Sequence, residues 1–210
     1  MPSTASLTMD TFQRLRDDIV HGRIRPNVHL VAAELAERLD ISRTPVREAL
    51  HLLASEGLVS ATKRGFVVRE HTTDEIREIY EVRAALEEMA ARLVADRGSD
   101  KAIREIEELG AHEVSAIDDR SVLADLNTAF HQAIMRVAGN ERLNQINQRN
   151  SEQFFNQGIA HLYTTQESAD AVAGHARILD AIKQRDPDRA GYEARQHVLD
   201  SFQVTLRTLR

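Results

Sequence analysis

The sequence predicts a mainly α-helical protein with an N-terminal winged helix-turn-helix and a C-terminal six-helix antiparallel bundle. Two observations carry this prediction. Residues 31–69 contain two short helical patterns followed by a β-hairpin with a basic tip. From Thr72 onward, every periodic segment has the apolar spacing of a helix. The change of pattern therefore divides the chain into residues 1–71 and residues 72–210.

The N-terminal part begins with three helices and ends with the hairpin. Gly22 and Pro26 end the first helix, and the sequence Asp40-Ile41-Ser42 forms the turn before the third, with Ser42 at its N-cap. β-rich segments on both sides of Lys63-Arg64-Gly65 predict the hairpin. We expect the helices over residues 7–22, 31–39 and 43–56, and the hairpin over residues 57–69.

The third helix carries the residue types that read DNA. Its apolar face includes Val46 and Leu50, and the opposite face carries Arg43, Thr44 and Arg47. Arginine on such a face can bind guanine through two hydrogen bonds in the major groove, and a helix N-terminus suits a phosphate. The hairpin tip suits phosphate or minor-groove contact. The candidate DNA-binding residues are Ser42, Arg43, Thr44, Arg47, Lys63, Arg64 and Gly65.

The charge of the chain is distributed unevenly. The net charge is −6 overall, but it is +1 over residues 1–70 and −7 over residues 71–210. A near-neutral DNA reader attached to an acidic bundle would bind DNA weakly as one copy. We therefore expect a homodimer that binds a palindromic double-stranded operator through two half-sites.

Composition excludes several other classes of protein. Hydrophobic residues make up 42% and charged residues 29% of the chain, and no apolar run is long enough to cross a membrane. The N-terminal segment has neither the basic nor the apolar region of a signal peptide. The absence of cysteine excludes disulfides and thiolate metal sites. We expect a cytoplasmic protein without membrane contact.

The C-terminal part contains six helical patterns. Thr72 and Glu75 have the spacing of a capping box, and Asp186-Pro187 begins the last helix. The expected helices cover residues 74–96, 100–117, 121–138, 140–163, 168–185 and 187–209. The expected N-caps are Ser99, Ser121, Asn140 and Ser168, and the expected stops are Gly98 and Gly139.

Three histidines lie on three different helices of this bundle. They are His131, His175 and His197, and Asn127 shares a helix face with His131. Three imidazoles and one oxygen donor that converge inside a bundle could bind zinc, nickel, cobalt or manganese. The alternative is that all three are ordinary core histidines.

Both parts of the chain resemble known families. The segments ISRTPVREAL, LASEGLV and RGFVV resemble the GntR family of bacterial transcription regulators, over residues 8–69. The segments AFH, HARILDAI and QHV are similar to the FCD effector domain of the FadR branch of that family, over residues 74–208. Six helices point to its VanR-like subgroup. The resemblance implies a divalent metal ion, zinc in the first place, bound by Asn127, His131, His175 and His197.

Two departures from the family pattern lie at this site. Asn127 stands where aspartate is commoner, and a neutral amide oxygen donates less charge to an ion. Gly174 stands where relatives often carry glutamate, which removes a potential acceptor for a ligand histidine.

The resemblance also implies a pocket for an effector. Arg83 matches a family arginine that faces the ligand, and a planar guanidinium binds a carboxylate through two bonds. The alternative is a helical ion pair with Glu87, four residues on. Tyr80, Arg149 and Gln153 could line the same cavity.

Three functions fit these observations. The first is a metabolite-responsive, sequence-specific transcriptional repressor that binds a small organic acid. The second is a metal-dependent hydrolase, but we find no motif for a nucleophile or a general base and expect no enzyme. The third is a constitutive architectural DNA-binding protein whose bundle only dimerises.

Overall fold

The computed structural model describes residues 4–20, 22–152 and 163–208. By their contacts these residues form two units: the first includes the described residues up to Thr72 together with Glu152, and the second includes the other described residues from Thr73 onward. Within the described residues, no helix is both long and apolar enough to cross a membrane.

The first unit combines three helices with a small antiparallel sheet. The helices are α1 (Thr4–Val20), α2 (Ala32–Leu39) and α3 (Arg43–Ser55). The strands are β1 (His29–Leu30), β2 (Val59–Thr62) and β3 (Gly65–Val68), in the order β1-β3-β2. The predicted helix-turn-helix and hairpin are both confirmed in order and type.

One apolar core holds this unit together. Leu15 and Ile19 of α1 pack with Leu50 and Leu53 of α3, and all four are at most 1% exposed. Phe66 joins them from β3. Burial of such side chains contributes about 1.5–3 kcal/mol each, which fixes α3 against α1 and leaves its outer face free.

Strand β1 was not predicted from the sequence, because its two residues are too few to show a period. Its presence explains Gly65, which pairs with Thr62 across the hairpin and has φ +126°. A Cβ at Gly65 would lie 2.6 Å from the carbonyl oxygen of Leu30 in β1. Glycine therefore allows the two strands to pair closely.

The second unit consists of helices in the described part of the chain. They are α4 (Thr73–Arg97), α5 (Asp100–Ser115), α6 (Arg120–Val137), α7 (Glu141–Glu152), α8 (Thr165–Lys183) and α9 (Pro187–Thr208). Helix α4 packs against α6, α8 and α9, and α5 packs against α6 and α8. Residues of α7 fall within the predicted helix 140–163, but the second half of that helix, with Gln153, lies outside the described residues.

Two of the predicted N-caps are confirmed and two are wrong. The Ser99 side chain accepts a hydrogen bond from the amide of Ala102, and Asn140 Oδ1 accepts one from Leu143. Helix α6 is capped by Asp119 rather than by Ser121, and α8 by Thr164 rather than by Ser168. Both helices begin earlier than predicted, because these caps satisfy free amides of the first turn. Asp119 accepts hydrogen bonds from two such amides, and Thr164 forms a capping box with Glu167.

Candidate metal centre and DNA interface

Helix α3 exposes the residues predicted to read DNA. Pro45 and Val46 are buried against the core, whereas Arg43, Thr44 and Arg47 are exposed. Pro45 is the third residue of the helix, where its missing N–H leaves no intrahelical bond unmade. The outer face therefore combines two guanidinium groups with a free helix N-terminus.

The start of α3 also keeps its donors available. Ser42 is at the N-cap with an extended backbone, but its side chain makes no capping hydrogen bond and is exposed. The amides of the first turn and the Ser42 hydroxyl can thus donate to an external anion such as a phosphate. At the hairpin tip, Lys63 and Arg64 are exposed as well.

The three predicted histidines meet in the interior of the second unit. Their Nε2 atoms form a nearly equilateral triangle: His175 lies 3.1 Å from His197 and 3.2 Å from His131, and His197 lies 3.2 Å from His131. All three side chains are buried. The helices α6, α8 and α9 each contribute one of them.

This triangle fits a metal ion. Imidazole nitrogens lie about 2.0–2.1 Å from bound zinc, so two ligands of one ion are about 3 Å apart. An imidazole Nε2 either carries a hydrogen or offers a lone pair, but not both, so three buried Nε2 atoms at this separation cannot all be hydrogen-bonded to one another. The donor set and its spacing therefore suit a divalent cation.

Carboxylates contact the outer nitrogens of two of these histidines. Glu113 of α5 places its two oxygens 2.8 and 2.9 Å from His175 Nδ1. Glu87 Oε2 of α4 lies 2.6 Å from His131 Nδ1, a close ionic contact whose direction is not that of a good hydrogen bond. Both contacts favour the tautomer in which Nε2 carries the lone pair.

Burial controls the protonation of this cluster. It lowers the pKa of His175 and His197 well below the usual value, so both are neutral at neutral pH and able to bind a metal. Burial raises the pKa of Glu113 to about 7. Burial would also raise the pKa of Glu87, but Arg83 and His131 hold it well below its usual range.

The third histidine is in close contact with α8. A Cβ at Gly174 would lie 2.5 Å from His197 Nδ1 and 3.4 Å from its Cγ. The absence of a side chain at Gly174 therefore makes room for the His197 ring. In the sequence, Gly174 is visible as a departure from the family pattern, but its contact with His197 is not, because the two residues are 23 positions apart.

Arg83 forms the ion pair that the sequence offered as an alternative. Its Nε lies 2.6 Å from Glu87 Oε1, and both residues are buried. The Arg83 guanidinium also lies 5.9 Å from the centre of the Tyr80 ring, and the Tyr80 hydroxyl is 2.7 Å from Thr205 Oγ1. Arg83 is thus linked through Glu87 to His131 of the histidine cluster, which leaves its predicted role toward an effector as a prediction.

The remaining predicted site residues are Asn127, Arg149 and Gln153. Asn127 is half-buried on α6, one turn before His131. Arg149 is exposed on α7, and Gln153 is not among the described residues. A cavity of ≈ 310 Å³ between α8 and α9 has His197 in its wall, but Arg83 does not line it.

The two halves of the chain match two family models. Residues 7–68 match the bacterial regulatory proteins of the gntR family, and residues 78–200 match the FCD domain. The probable D-xylose utilization operon transcriptional repressor of Paenarthrobacter nicotinovorans is 32% identical over 86% of this chain and 80% of its own. The transcriptional repressor GlaR of Escherichia coli K12 is 29% identical over 94% of both. These relatives are transcription regulators, which confirms the expectation of a protein that is not an enzyme.

Solved structures share the fold. Escherichia coli McbR/YncC superposes with a TM-score of 0.80 over 100% of both chains, at 22% identity. A putative transcriptional regulator GntR from Rhodococcus sp. RHA1 superposes with a TM-score of 0.74 over 97% of this chain and 99% of its own, at 24% identity. The fold described above is therefore shared with both of these solved structures.

Proposed function

Because this chain belongs to the GntR family of bacterial transcription regulators and carries an FCD domain, we propose that it is a metabolite-responsive repressor of the VanR-like subgroup. Residues 1–71 are its DNA-binding domain, and residues 72–210 bind the effector and dimerise. It acts in the cytoplasm, where its operator DNA is. Two relatives are named as transcriptional repressors, which supports repression rather than activation.

The exposed face of α3 carries this proposal. Arg43 and Arg47 read bases in the major groove, while Ser42 and Thr44 hold a phosphate at the helix N-terminus. The tip formed by Lys63 and Arg64, with Gly65 behind it, contacts the adjacent backbone or minor groove. Two copies in a homodimer then bind a palindromic operator.

The bundle binds a divalent metal ion through His131, His175 and His197, with Asn127 as a fourth donor. Separations of 3.1–3.2 Å between the three Nε2 atoms support this assignment. Three imidazoles and one amide oxygen suit zinc first, and nickel, cobalt or manganese as alternatives. When bound, the ion would offer a coordination position for the carboxylate of a ligand.

The effector is a small organic acid. Arg83 lies at the edge of the histidine cluster, and a guanidinium can exchange an internal carboxylate for that of a ligand. Tyr80 packs beside it, and Arg149 and Gln153 complete the proposed pocket. The acid changes operator affinity only as far as it binds the two states of the dimer differently.

Operator binding tests the first half of this proposal. The Arg43→Ala and Arg47→Ala substitutions should each cost about 1–3 kcal/mol in affinity and relax base preference. The control is Arg104→Ala, which removes an exposed arginine from α5. Unchanged affinity in both α3 variants would show that another surface reads the operator.

Metal content tests the second half. Elemental analysis of the purified protein should find one ion per chain, and His131→Ala should reduce it. The control is His112→Ala, because His112 is an exposed histidine on α5. A thermal-shift screen with organic acids, on the metal-loaded protein, then identifies the effector.

A further inference from the structure

Glu113 is a fully buried carboxylate near the C-terminal end of α5, with 0% of its side chain exposed. Two effects disfavour a charge there. The helix dipole presents its negative end to the last turn, and removal of a carboxylate from water is costly unless it is paired. A glutamate at this position therefore requires a specific partner.

The partner is the imidazole of His175. Both carboxylate oxygens lie within hydrogen-bond distance of Nδ1, at 2.8 and 2.9 Å. The Phe130 ring stacks on the imidazole with a centroid separation of 4.2 Å. Stacking fixes the plane of the His175 ring, but it does not determine which ring edge faces the histidine cluster. The Glu113 contact does so, because it holds Nδ1–H outward and directs Nε2 toward the other two imidazoles.

The two carboxylates near the cluster differ in how their charge is balanced. Glu87 is neutralised by Arg83 at 2.6 Å. In the described part of the chain, no lysine or arginine forms an ion pair with Glu113, which contacts His175. A divalent cation held by the three Nε2 atoms would supply a compensating positive charge on the far side of the His175 ring.

We propose that Glu113 is the positioning residue of the metal centre: it orients His175 and supplies the buried negative charge that the bound cation offsets. This inference rests on the proposed metal centre and deepens it. It gives Glu113 two effects of opposite sign. The side chain stabilises the metal-bound protein, and its uncompensated charge destabilises the metal-free protein.

The Glu113→Gln substitution separates these effects, because glutamine keeps an acceptor of the same size and loses the charge. Full-length protein stripped with a chelator is titrated with Co²⁺ and Zn²⁺ at pH 8, and the visible spectrum of Co²⁺ reports ligand geometry. We expect Glu113→Gln to lower both affinities about 10- to 100-fold and to raise the melting temperature of the metal-free protein. Glu113→Ala should lower affinity at least as much and alter the Co²⁺ spectrum.

The control is Glu108→Gln, the same change at an exposed position of α5, which should change neither affinity nor melting temperature. A Glu113→Gln protein with wild-type affinity and spectrum would overturn the inference, as would a variant that is less stable without metal. If wild-type protein binds neither ion, the metal centre of the proposed function fails too. If His131→Ala abolishes binding and Glu113→Gln leaves it intact, only the role of Glu113 fails.

Discussion

The Gly174→Ala substitution should separate metal affinity from the stability of the metal-free protein. The added Cβ would lie 2.5 Å from His197 Nδ1, whereas ordinary contacts begin near 3.4 Å. The His197 ring must therefore retreat by roughly 0.9 Å, which is several times the tolerance of about 0.2 Å for a metal–ligand bond. We expect the metal affinity to fall at least 100-fold, or about 2.8 kcal/mol.

The metal-free protein should respond differently. Alanine favours a helix interior over glycine by about 0.5–1 kcal/mol, which offsets part of the strain of moving one ring. In wild type, metal at 100 times its Kd adds about 2.7 kcal/mol of stability, and after a 100-fold loss of affinity the same concentration adds about 0.4 kcal/mol. The metal-induced rise in melting temperature should therefore almost disappear, while the melting temperature without metal changes little.

Calorimetry with and without Zn²⁺ measures both quantities on the same samples. Gly110→Ala is the matched control, because Gly110 is also a helical glycine of this bundle and its added Cβ would meet its nearest atoms only at 3.8 and 4.0 Å. This control should keep the full metal response. Wild-type metal stabilisation in the Gly174→Ala protein would contradict this prediction, since it would mean that the His197 ring need not occupy this space.

Three further predictions concern stability. Gly65→Ala should destabilise the first unit by about 2 kcal/mol or more, because the added Cβ meets both a positive φ and the backbone of β1. The control Gly22→Ala, at φ +71° with no atom within 4 Å, should cost only the backbone strain of about 1 kcal/mol. Equal losses of stability in urea unfolding would argue against the contact with β1. Arg83→Ala leaves Glu87 buried without its cationic partner and should lower the stability measured by thermal unfolding by on the order of 3 kcal/mol. A loss of less than about 0.5 kcal/mol would contradict a buried ion pair. The free energy of unfolding of the metal-free protein should decline as the pH falls below about 6.5. The reason is that His175 and His197 take up protons in the unfolded chain, whereas their lowered pKa values keep them neutral in the folded protein. Substitution of both histidines by asparagine should flatten this part of the pH profile.

The DNA-reading element was predictable because its signals are local. The face of α3 follows from the helical period, which sets Val46 and Leu50 opposite Arg43 and Arg47. The hairpin follows from β-rich segments around a turn. The strand β1 was not predictable in this way, because two residues carry no period and pair only with a partner 36 or more positions away.

The metal centre was only partly predictable. Helical spacing and the family resemblance selected His131, His175 and His197 as candidates. The carboxylates at their outer nitrogens, Glu87 and Glu113, were not found as such, although Glu87 was considered as the partner of Arg83. No spacing rule connects a glutamate on α5 with a histidine 62 residues later.

The amino-acid sequence alone predicts the type and order of most elements and the exposed arginine face of α3, because these follow from local periodicity, turn chemistry and charge. The histidines that could bind a metal were selected by their helical spacing together with the family resemblance. The tertiary structure, in contrast, brings three Nε2 atoms to 3.1–3.2 Å from one another, places Glu113 against one imidazole and leaves room beside Gly174 for another. Such distances depend on how helices pack against each other, and packing brings together residues that are remote in the chain.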